Sequence, residues 1–311
     1  MRCSIGQGVE MASRSTEAAA WPAVPLEEWK ETCATLHMYA QVVGKVRLAL
    51  APPVNHWWHV PLYVAASGLT TSAIPHPGGA FEIRFDFVDH LVAIETSTGE
   101  SRVIPLTARP VADFYADVLA ALTSLNIPVK IWKMPVEVPD PIPFDEDRTH
   151  SSYDPDGARR FWLALVAMEP VFEAFRGRFL GKASPVHFFW GSFDLAATRF
   201  SGRRAPERPG ADAITREAYS HEVISAGFWP GGNGVDASFY AYAAPEPEGY
   251  ADASVGPDGA YYHPEMKEFL LPYEAVRQSP SPSRALTEFL ESTYDAGARL
   301  AKWDRQALER P

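Results

Sequence analysis

The same order of predicted elements occurs twice along the chain, and this repetition limits the possible folds more than any other feature. A helix, four strands and a second helix are predicted for residues 29–125 and again for residues 161–300. Apolar residues alternate with charged ones from Phe81 to Phe87, the two-residue period of a strand with one buried face. One such sheet alone would leave an apolar face in water, so two facing sheets are the simplest solution. The sequence predicts an α+β protein with an internal duplication of a helix–four antiparallel strands–helix unit.

The domain boundaries follow from composition. Residues 1–20 carry no continuous apolar segment and are predicted to be a disordered N-terminus, in which Met11 is an alternative start. Residues 21–132 form the first predicted repeat and residues 155–305 the second, in one compact pseudo-twofold unit. Residues 133–154, rich in proline and acidic residues, are predicted to form an extended strap between them.

Charge and cysteine content exclude several classes of function. The net charge is −11, from 28 basic and 39 acidic residues, which disfavours nucleic acid and anionic membranes as partners. Only Cys3 and Cys33 are present, too few for a disulfide framework or a cysteine-based zinc site. No apolar run approaches the roughly 20 residues that span a bilayer. We expect a cytoplasmic protein that binds neither nucleic acid nor membrane.

Asp194 is the most unusual candidate in the sequence. It lies in the stretch Gly181–Pro206, which reads as one long aromatic strand with a single carboxylate. Alternation places Asp194 on one face with Trp190 and Ser192, and we expect these three to line an internal pocket. An unpaired carboxylate there is costly, and such groups are often functional. A structural ion pair with Arg199 is the alternative. The helix-facing side is expected to carry Phe189, Phe193 and Leu195.

A second group of candidates is expected at one edge of the second sheet. Antiparallel order places His221, Glu222, His263 and Glu265 beside the basic turn from Arg199 to Arg204. These residue types suit an acid/base pair, or a metal site formed by His221, His263 and Glu265. No HExxH motif is present, and a hydrated rim explains the same residues equally well.

Aromatic residues provide the remaining binding candidates. The segment from His56 to His59 reads as a strand, so His56 and Trp58 share one face while Trp57 and His59 share the other. Histidines three apart on a strand do not make a metal pair. We include Trp58, together with Phe228 at the start of a glycine-rich turn, as expected pocket walls.

Several long motifs resemble a known family. They are GKASPVHFFWGSFDLAATRFSGR, AYSHEVISAGFWPG and FYAYAAPEPEGY, preceded by NHWWHVPLY and FDFVDH. These resemble a bacterial family known only as a domain of unknown function, over residues 21–303. The resemblance implies homologues that share one structural unit, but it carries no activity and no catalytic residue.

Three functional hypotheses remain open from the residues. In the first, the protein is an enzyme with Asp194, His221 and Glu222 as catalytic groups, acting on a small organic substrate. The substrate would contact Trp190, Ser192, Arg199, Trp58 and Phe228 in an aromatic-lined pocket. In the second, the same pocket binds a small molecule without catalysis. In the third, the aromatic runs are all core and the protein is a scaffold. No cofactor or oligomeric state is indicated.

Overall fold

The computed structural model describes residues 21–232 and 234–310. The predictions for residues 1–20, including Cys3, lie outside the described residues. The chain is 34% helical and 26% strand, with two six-stranded antiparallel sheets, which confirms the α+β class. None of the helices in these residues is long and apolar enough to cross a membrane.

Seven α-helices are present in the described part of the chain. They are α1 (Leu26–Leu50), α2 (Val111–Ser124), α3 (Pro155–Gly177), α4 (Ala213–Ala218), α5 (Tyr273–Arg277), α6 (Pro282–Leu300) and α7 (Arg305–Leu308). At the start of α3, the Asp154 side chain accepts hydrogen bonds from two backbone N–H groups, and Pro155 occupies the first turn. The sequence predicts that Pro170 bends or splits this helix, but α3 runs through it as one element.

The first sheet contains the strands of the first half of the chain. They are β1 (Tyr63–Ala65), β2 (Gly68–Thr70), β3 (Ile74–His76), β4 (Gly79–Asp86), β5 (Leu91–Thr96) and β6 (Ser101–Pro105). Their order is β1-β2-β4-β5-β6, with β3 also paired to β4. Strands β4, β5 and β6 are those that the alternation of apolar residues predicts. The short strands bring the number to six, where the sequence predicts four.

The second sheet contains the strands of the second half. They are β7 (His187–Phe189), β8 (Asp194–Arg204), β9 (His221–Gly232), β10 (Val235–Ala244), β11 (Tyr261–His263) and β12 (Glu268–Pro272). Their order is β11-β12-β10-β9-β8-β7. The predicted antiparallel succession of β8, β9, β10 and β12 is therefore present. That the two halves superimpose stays a prediction.

The stretch predicted as one long strand is a hairpin. Strand β7 ends at Phe189, a turn occupies residues 190–193, and β8 begins at Asp194, which pairs with Phe189. Phe193 adopts a left-handed backbone with φ 59° at the end of this turn. The turn changes which side Phe189 faces, so the expectation that Phe189 packs on helices is wrong.

The segment before β1 is also not a strand. Residues Asn55–Trp57 form a 3₁₀ turn, in which His56 and Trp57 have φ of 58° and 61°. The rings nevertheless pair as the sequence predicts: His56 lies 5.4 Å from Trp58, and Trp57 lies 5.3 Å from His59. The tight turn, and not strand alternation, causes this pairing.

Two long helices connect the sheets. Helix α1 contacts β3 and β9, and helix α3 contacts β1 and β8, so each helix touches both sheets. Edge strands β1 and β7 also approach one another, where Leu62 and Phe188 form an antiparallel bridge. The helices bury one face of the second sheet, and its other face is left to line a cavity.

Gly44 of α1 allows the helix to approach the hairpin turn. A Cβ atom at Gly44 would lie 2.2 Å from the Trp190 ring, whose Nε1 donates to the Val60 carbonyl at 2.8 Å. Overpacking costs about 1–3 kcal/mol, more than the roughly 1 kcal/mol that alanine contributes to helix propensity. We expect Gly44→Ala to lower the free energy of unfolding in a denaturant titration.

Gly177, at the end of α3, is the matched control for this substitution. Nothing lies within 4 Å of a Cβ placed there. Gly177→Ala should leave the free energy of unfolding unchanged or slightly higher. Equal effects of the two substitutions would contradict the steric argument.

Candidate functional site

The face of the second sheet that does not pack on the helices forms one wall of a cavity of about 890 Å³. Alternate residues of four strands face it, while the residues between them pack on the helices. The cavity-facing side chains include Ala196, Thr198 and Phe200 of β8, Val223, Ser225 and Trp229 of β9, Ser238, Tyr240 and Tyr242 of β10, and Glu268 and Leu270 of β12. Strand β8 also contributes Asp194.

Four segments of the chain close the cavity over the sheet. The 3₁₀ turn and the residues after it contribute Trp57, Trp58 and Val60. Trp132 and, in the strap that follows it, Glu137 also contribute. The position of the strap is fixed by Gln41, whose side chain donates to the Val136 carbonyl at 2.8 Å and accepts from the Val136 N–H at 2.8 Å. Lys45 of α1 and part of α4 complete the lining.

Asp194 is the buried carboxyl group of this cavity. It is 6% exposed and accepts hydrogen bonds from the hydroxyl groups of Ser192 and Tyr240. Burial raises the pKa of Asp194, and the two hydroxyl donors oppose this increase only in part. Neither neighbour is charged, so the group has no ion-pair partner among the residues described.

Gly227 allows Tyr240 to reach Asp194. Tyr240 pairs with Gly227 across β9–β10, and Ala196, two residues from Asp194, pairs with Gly227 from the other side. A Cβ atom at Gly227 would lie 2.4 Å from the Tyr240 hydroxyl. The tyrosine thus crosses the intervening strand β9 at a position without a side chain.

Two further carboxyl groups lie in the cavity wall close enough for Asp194 to affect them. Glu268 has its pKa raised to about 7, first by burial and then by the negative charge of Asp194. The pKa of Glu137 is also raised by the same two causes in the same order. An ionised Asp194 therefore repels both of the other carboxylates, and all three groups line the same cavity.

Glu268 should make stability depend on pH. Its folded-state pKa of about 7 exceeds the ordinary 4.5, so its contribution to stability is present below pH 4.5 and is lost as pH rises through 7. Glu268→Gln removes this loss, on the order of 3 kcal/mol. We expect the variant to gain stability relative to wild type between pH 4.5 and pH 8 in denaturant titrations.

Glu265→Gln is the control, because Glu265 is exposed and lies in the turn before Glu268. Its stability difference from wild type should not change over the same pH range. If the stability difference between Glu268→Gln and wild type were also independent of pH, the raised pKa of Glu268 would be wrong.

Lys45 is a buried amine in the same cavity. It is 4% exposed, donates to the Met134 carbonyl at 2.8 Å, and lies 4.6 Å from the centre of the Trp132 ring. Burial lowers the pKa of Lys45 to about 8. An amine with a lowered pKa is partly neutral near physiological pH and can then act as a base or a nucleophile.

His56 also lines the cavity and is held in one tautomer. Its Nδ1 lies 3.1 Å and 3.3 Å from the carbonyl oxygens of Glu217 and Ala218, so Nδ1 carries the proton. Burial, followed by the positive charge of Lys182, lowers the pKa of His56. In the neutral ring Nε2 holds the lone pair and can accept a proton.

Four of the sequence-derived candidates lie in the cavity wall. They are Asp194, Trp190, Ser192 and Trp58. Trp190 packs against Gly44, and Trp58 lies 5.7 Å from Phe200. The structure thus places Asp194, Trp190 and Ser192 beside one internal space.

Arg199 and Phe228 lie on the opposite face of the sheet, so the expectation that they contact a ligand in the cavity is wrong. Arg199 is 2% exposed and forms an ion pair with Glu291 of α6 at 3.5 Å. Phe228 is fully buried against Phe239 and Tyr273. The ion pair of Arg199 also excludes it as the partner of Asp194.

Glu222 is placed outside the cavity as well. It faces the helix side of β9, where it forms an ion pair with Arg203 at 2.7 Å and accepts from Ser201. His221 pairs with Arg204 across the strands, as antiparallel order predicts, and its ring lies 5.7 Å from that of His56. His221 therefore lies next to a cavity residue, whereas Glu222 does not.

The structure does not bring the metal candidates together. His263 is on β11 and His221 is on β9, and β12 and β10 lie between them. His263 instead accepts from the Met266 N–H, and Glu265 is exposed. Within residues 21–232 and 234–310, no three His, Cys, Asp or Glu side chains could together hold a metal ion.

Sequence reasoning missed Lys45, Tyr240, Glu268 and Glu137. Tyr240 could have been found in the sequence, because Tyr240 and Tyr242 place two hydroxyl groups at alternate positions, and so on one face, of an otherwise apolar strand. The other three come from a helix, a strap and a distant strand. Only the folded chain shows that they border one space.

The fold is that of an α+β protein with two antiparallel sheets, the second of which lines a cavity of about 890 Å³. The chain belongs to the DUF5996 family, a family of unknown function, whose pattern matches residues 21–310. No curated protein and no solved structure matches the chain.

Proposed function

We propose that this protein is an enzyme that transfers protons to or from a small organic substrate bound in the cavity. The observation that carries the proposal is the buried carboxyl group of Asp194 in the cavity wall, without an ion-pair partner among the residues described. The cavity volume of about 890 Å³ lies within the range of known small-molecule sites. Buried carboxyl groups with a raised pKa in such sites are typical acid/base catalysts.

The neighbouring groups suit this chemistry. Glu268, with a pKa of about 7, exists in both protonation states near neutral pH, so it can donate or accept a proton. Burial and the nearby Asp194 raise the pKa of Tyr240, so its hydroxyl keeps its proton and orients the Asp194 carboxyl group. In this proposal Asp194 and Glu268 transfer protons, and Tyr240 is a positioning residue.

The aromatic walls would hold the apolar part of the substrate. They include five of the nine tryptophans of the chain: Trp57, Trp58, Trp132, Trp190 and Trp229. These walls alone would equally suit a protein that binds a small molecule without changing it. Turnover is what separates the two functions.

The test is a screen of small organic compounds by ligand-observed NMR, with wild type and Ser225→Phe. Ser225 is 2% exposed on the cavity wall, so phenylalanine there should fill the space and abolish binding. Val103→Phe, at a 57% exposed position of β6, is the matched control and should bind as wild type does. A thermal melt confirms that each variant is folded.

Compounds that pass this test are then incubated with wild type and Asp194→Asn and followed by mass spectrometry. Chemical change that requires Asp194 supports the enzyme. Binding without any change supports the non-catalytic alternative. If folded Ser225→Phe binds every compound as wild type does, the cavity is not the ligand site and the proposal is wrong.

A further inference from the structure

The cavity holds more negative than positive charge, and its carboxyl groups lack partners. Among the residues described, Asp194, Glu137 and Glu268 form no ion pair within 4.0 Å. The only charged group that perturbs Glu137 or Glu268 is Asp194. Burial of unpaired charge is costly, so this region is suited to a positively charged occupant.

Lys45 does not supply that charge. Its ammonium group is directed to the Met134 carbonyl and lies between aromatic rings, with Trp132 at 4.6 Å, Trp190 at 5.8 Å and Phe144 at 5.9 Å. Burial alone shifts its pKa, with no contribution from a carboxylate. The hydrogen bond and the ring contacts therefore hold the amine away from ion pairing with the three carboxyl groups.

The ring faces beside the carboxyl groups give an independent reason to expect a cation. Tyr240 and Tyr242 stack with ring centres 6.3 Å apart, and Trp190 and Trp229 line the same cavity. Aromatic faces attract organic cations, and cages of such rings recognise ammonium groups. Aromatic rings and carboxyl groups together form the typical receptor for an organic amine.

We infer that the ligand of this cavity is a small organic cation, a protonated amine with an apolar body. Its ammonium group lies among Asp194, Glu137 and Glu268, and its apolar body packs on the tryptophans. The inference rests on the proposed function, since it names the substrate class of the same site. To the proposed function the inference adds that the ligand is positively charged, and this holds whether the protein is an enzyme or only binds the ligand.

The test compares three probes of the same shape and different charge: benzylamine, benzyl alcohol and benzoate. Titrations at one ionic strength, followed by ligand-observed NMR, give the three dissociation constants. We expect benzylamine to bind at least about tenfold more tightly than benzyl alcohol. Benzoate should bind more weakly than either, because the carboxyl groups repel it.

Variants show whether this preference arises in the cavity. The double substitution Glu137→Gln and Glu268→Gln removes two of the three charges while Asp194 and its hydrogen bonds stay in place. It should reduce the preference for benzylamine over benzyl alcohol at least about threefold, while the remaining Asp194 keeps part of it. Glu265→Gln, which removes an exposed carboxylate outside the cavity wall, is the control and should keep the full preference.

Four outcomes would overturn the inference. They are equal binding of amine and alcohol, tighter binding of benzoate, no binding of benzylamine to wild type, and a preference that the double variant keeps. If benzylamine and benzyl alcohol bound equally tightly and Ser225→Phe abolished the binding of both, only the inference about the charge of the ligand would be wrong. In that case the cavity remains a small-molecule site and the proposed function stands.

Discussion

Asp194→Asn is expected to abolish benzylamine binding while it leaves the melting temperature within about 2 °C of wild type. Asparagine has the shape of aspartate, and the hydroxyl groups of Ser192 and Tyr240 can donate to its oxygen or accept from its nitrogen. Burial already disfavours the charged form, because it raises the pKa of Asp194. Removal of the charge therefore costs the folded state little, but it removes the most deeply buried of the three carboxyl groups expected to attract the ammonium.

The raised pKa of Asp194 also predicts that Asp194→Asn does not destabilise the fold at neutral pH. A carboxyl group with a raised folded-state pKa destabilises the fold as pH rises through that pKa, so asparagine should not be less stable than aspartate at neutral pH. Thermal melts and benzylamine titrations on the same samples measure both effects. A loss of about 3–5 kcal/mol would instead identify Asp194 as half of a buried structural pair.

Asp212→Asn is the matched control. Asp212 also lines the cavity, but it is exposed and caps α4 by accepting from the N–H groups of Ile214 and Thr215. Asparagine is an equally good cap. This variant should keep its stability and should lose far less affinity for benzylamine than Asp194→Asn does.

The sequence could predict the strand side of the site because alternation in a sheet is a local property. Trp190, Ser192 and Asp194 border one space even though they belong to a turn and the strand after it. The same rule, continued from Asp194 along β8, places Arg199 five residues later and thus on the opposite face. Its assignment as a ligand contact conflicted with the alternation that located Asp194.

The rest of the site depends on long-range packing that alternation does not describe. Glu137 reaches the cavity because Gln41 holds the strap, and Lys45 reaches it because Gly44 lets α1 approach Trp190. The contact between Tyr240 and Asp194 depends on the register that places Gly227 between them. Each of these contacts joins residues more than 30 positions apart in the sequence.

Arg199→Met is expected to have the opposite effect to Asp194→Asn: a large loss of stability with unchanged ligand binding. The Arg199 guanidinium lies 3.4 Å from the centre of the Phe175 ring and 4.2 Å from that of Tyr294, and it donates to the Phe175 carbonyl. Methionine fills much of the same space but removes the guanidinium from that carbonyl and from Glu291, which keep their contacts with Arg178. Breaking a fully buried ion pair costs about 3–5 kcal/mol, and the loss here should lie at or below that range because the Glu291 side chain is 30% exposed.

A double-mutant cycle with Glu291→Gln separates the ion pair from packing. If the pair provides most of the effect, the double variant should lose less stability than the sum of the two single losses, by about 0.5–3 kcal/mol. Glu291 also lies 3.6 Å from Arg178 at the surface, so its own replacement should cost less than that of Arg199. Benzylamine should bind every folded variant as it binds wild type, because this ion pair lies on the helix side of β8. If Arg199→Met bound benzylamine more weakly than wild type under conditions where the variant is fully folded, the two faces of the sheet would be coupled. The prediction that Arg199 affects stability but not ligand binding would then be wrong.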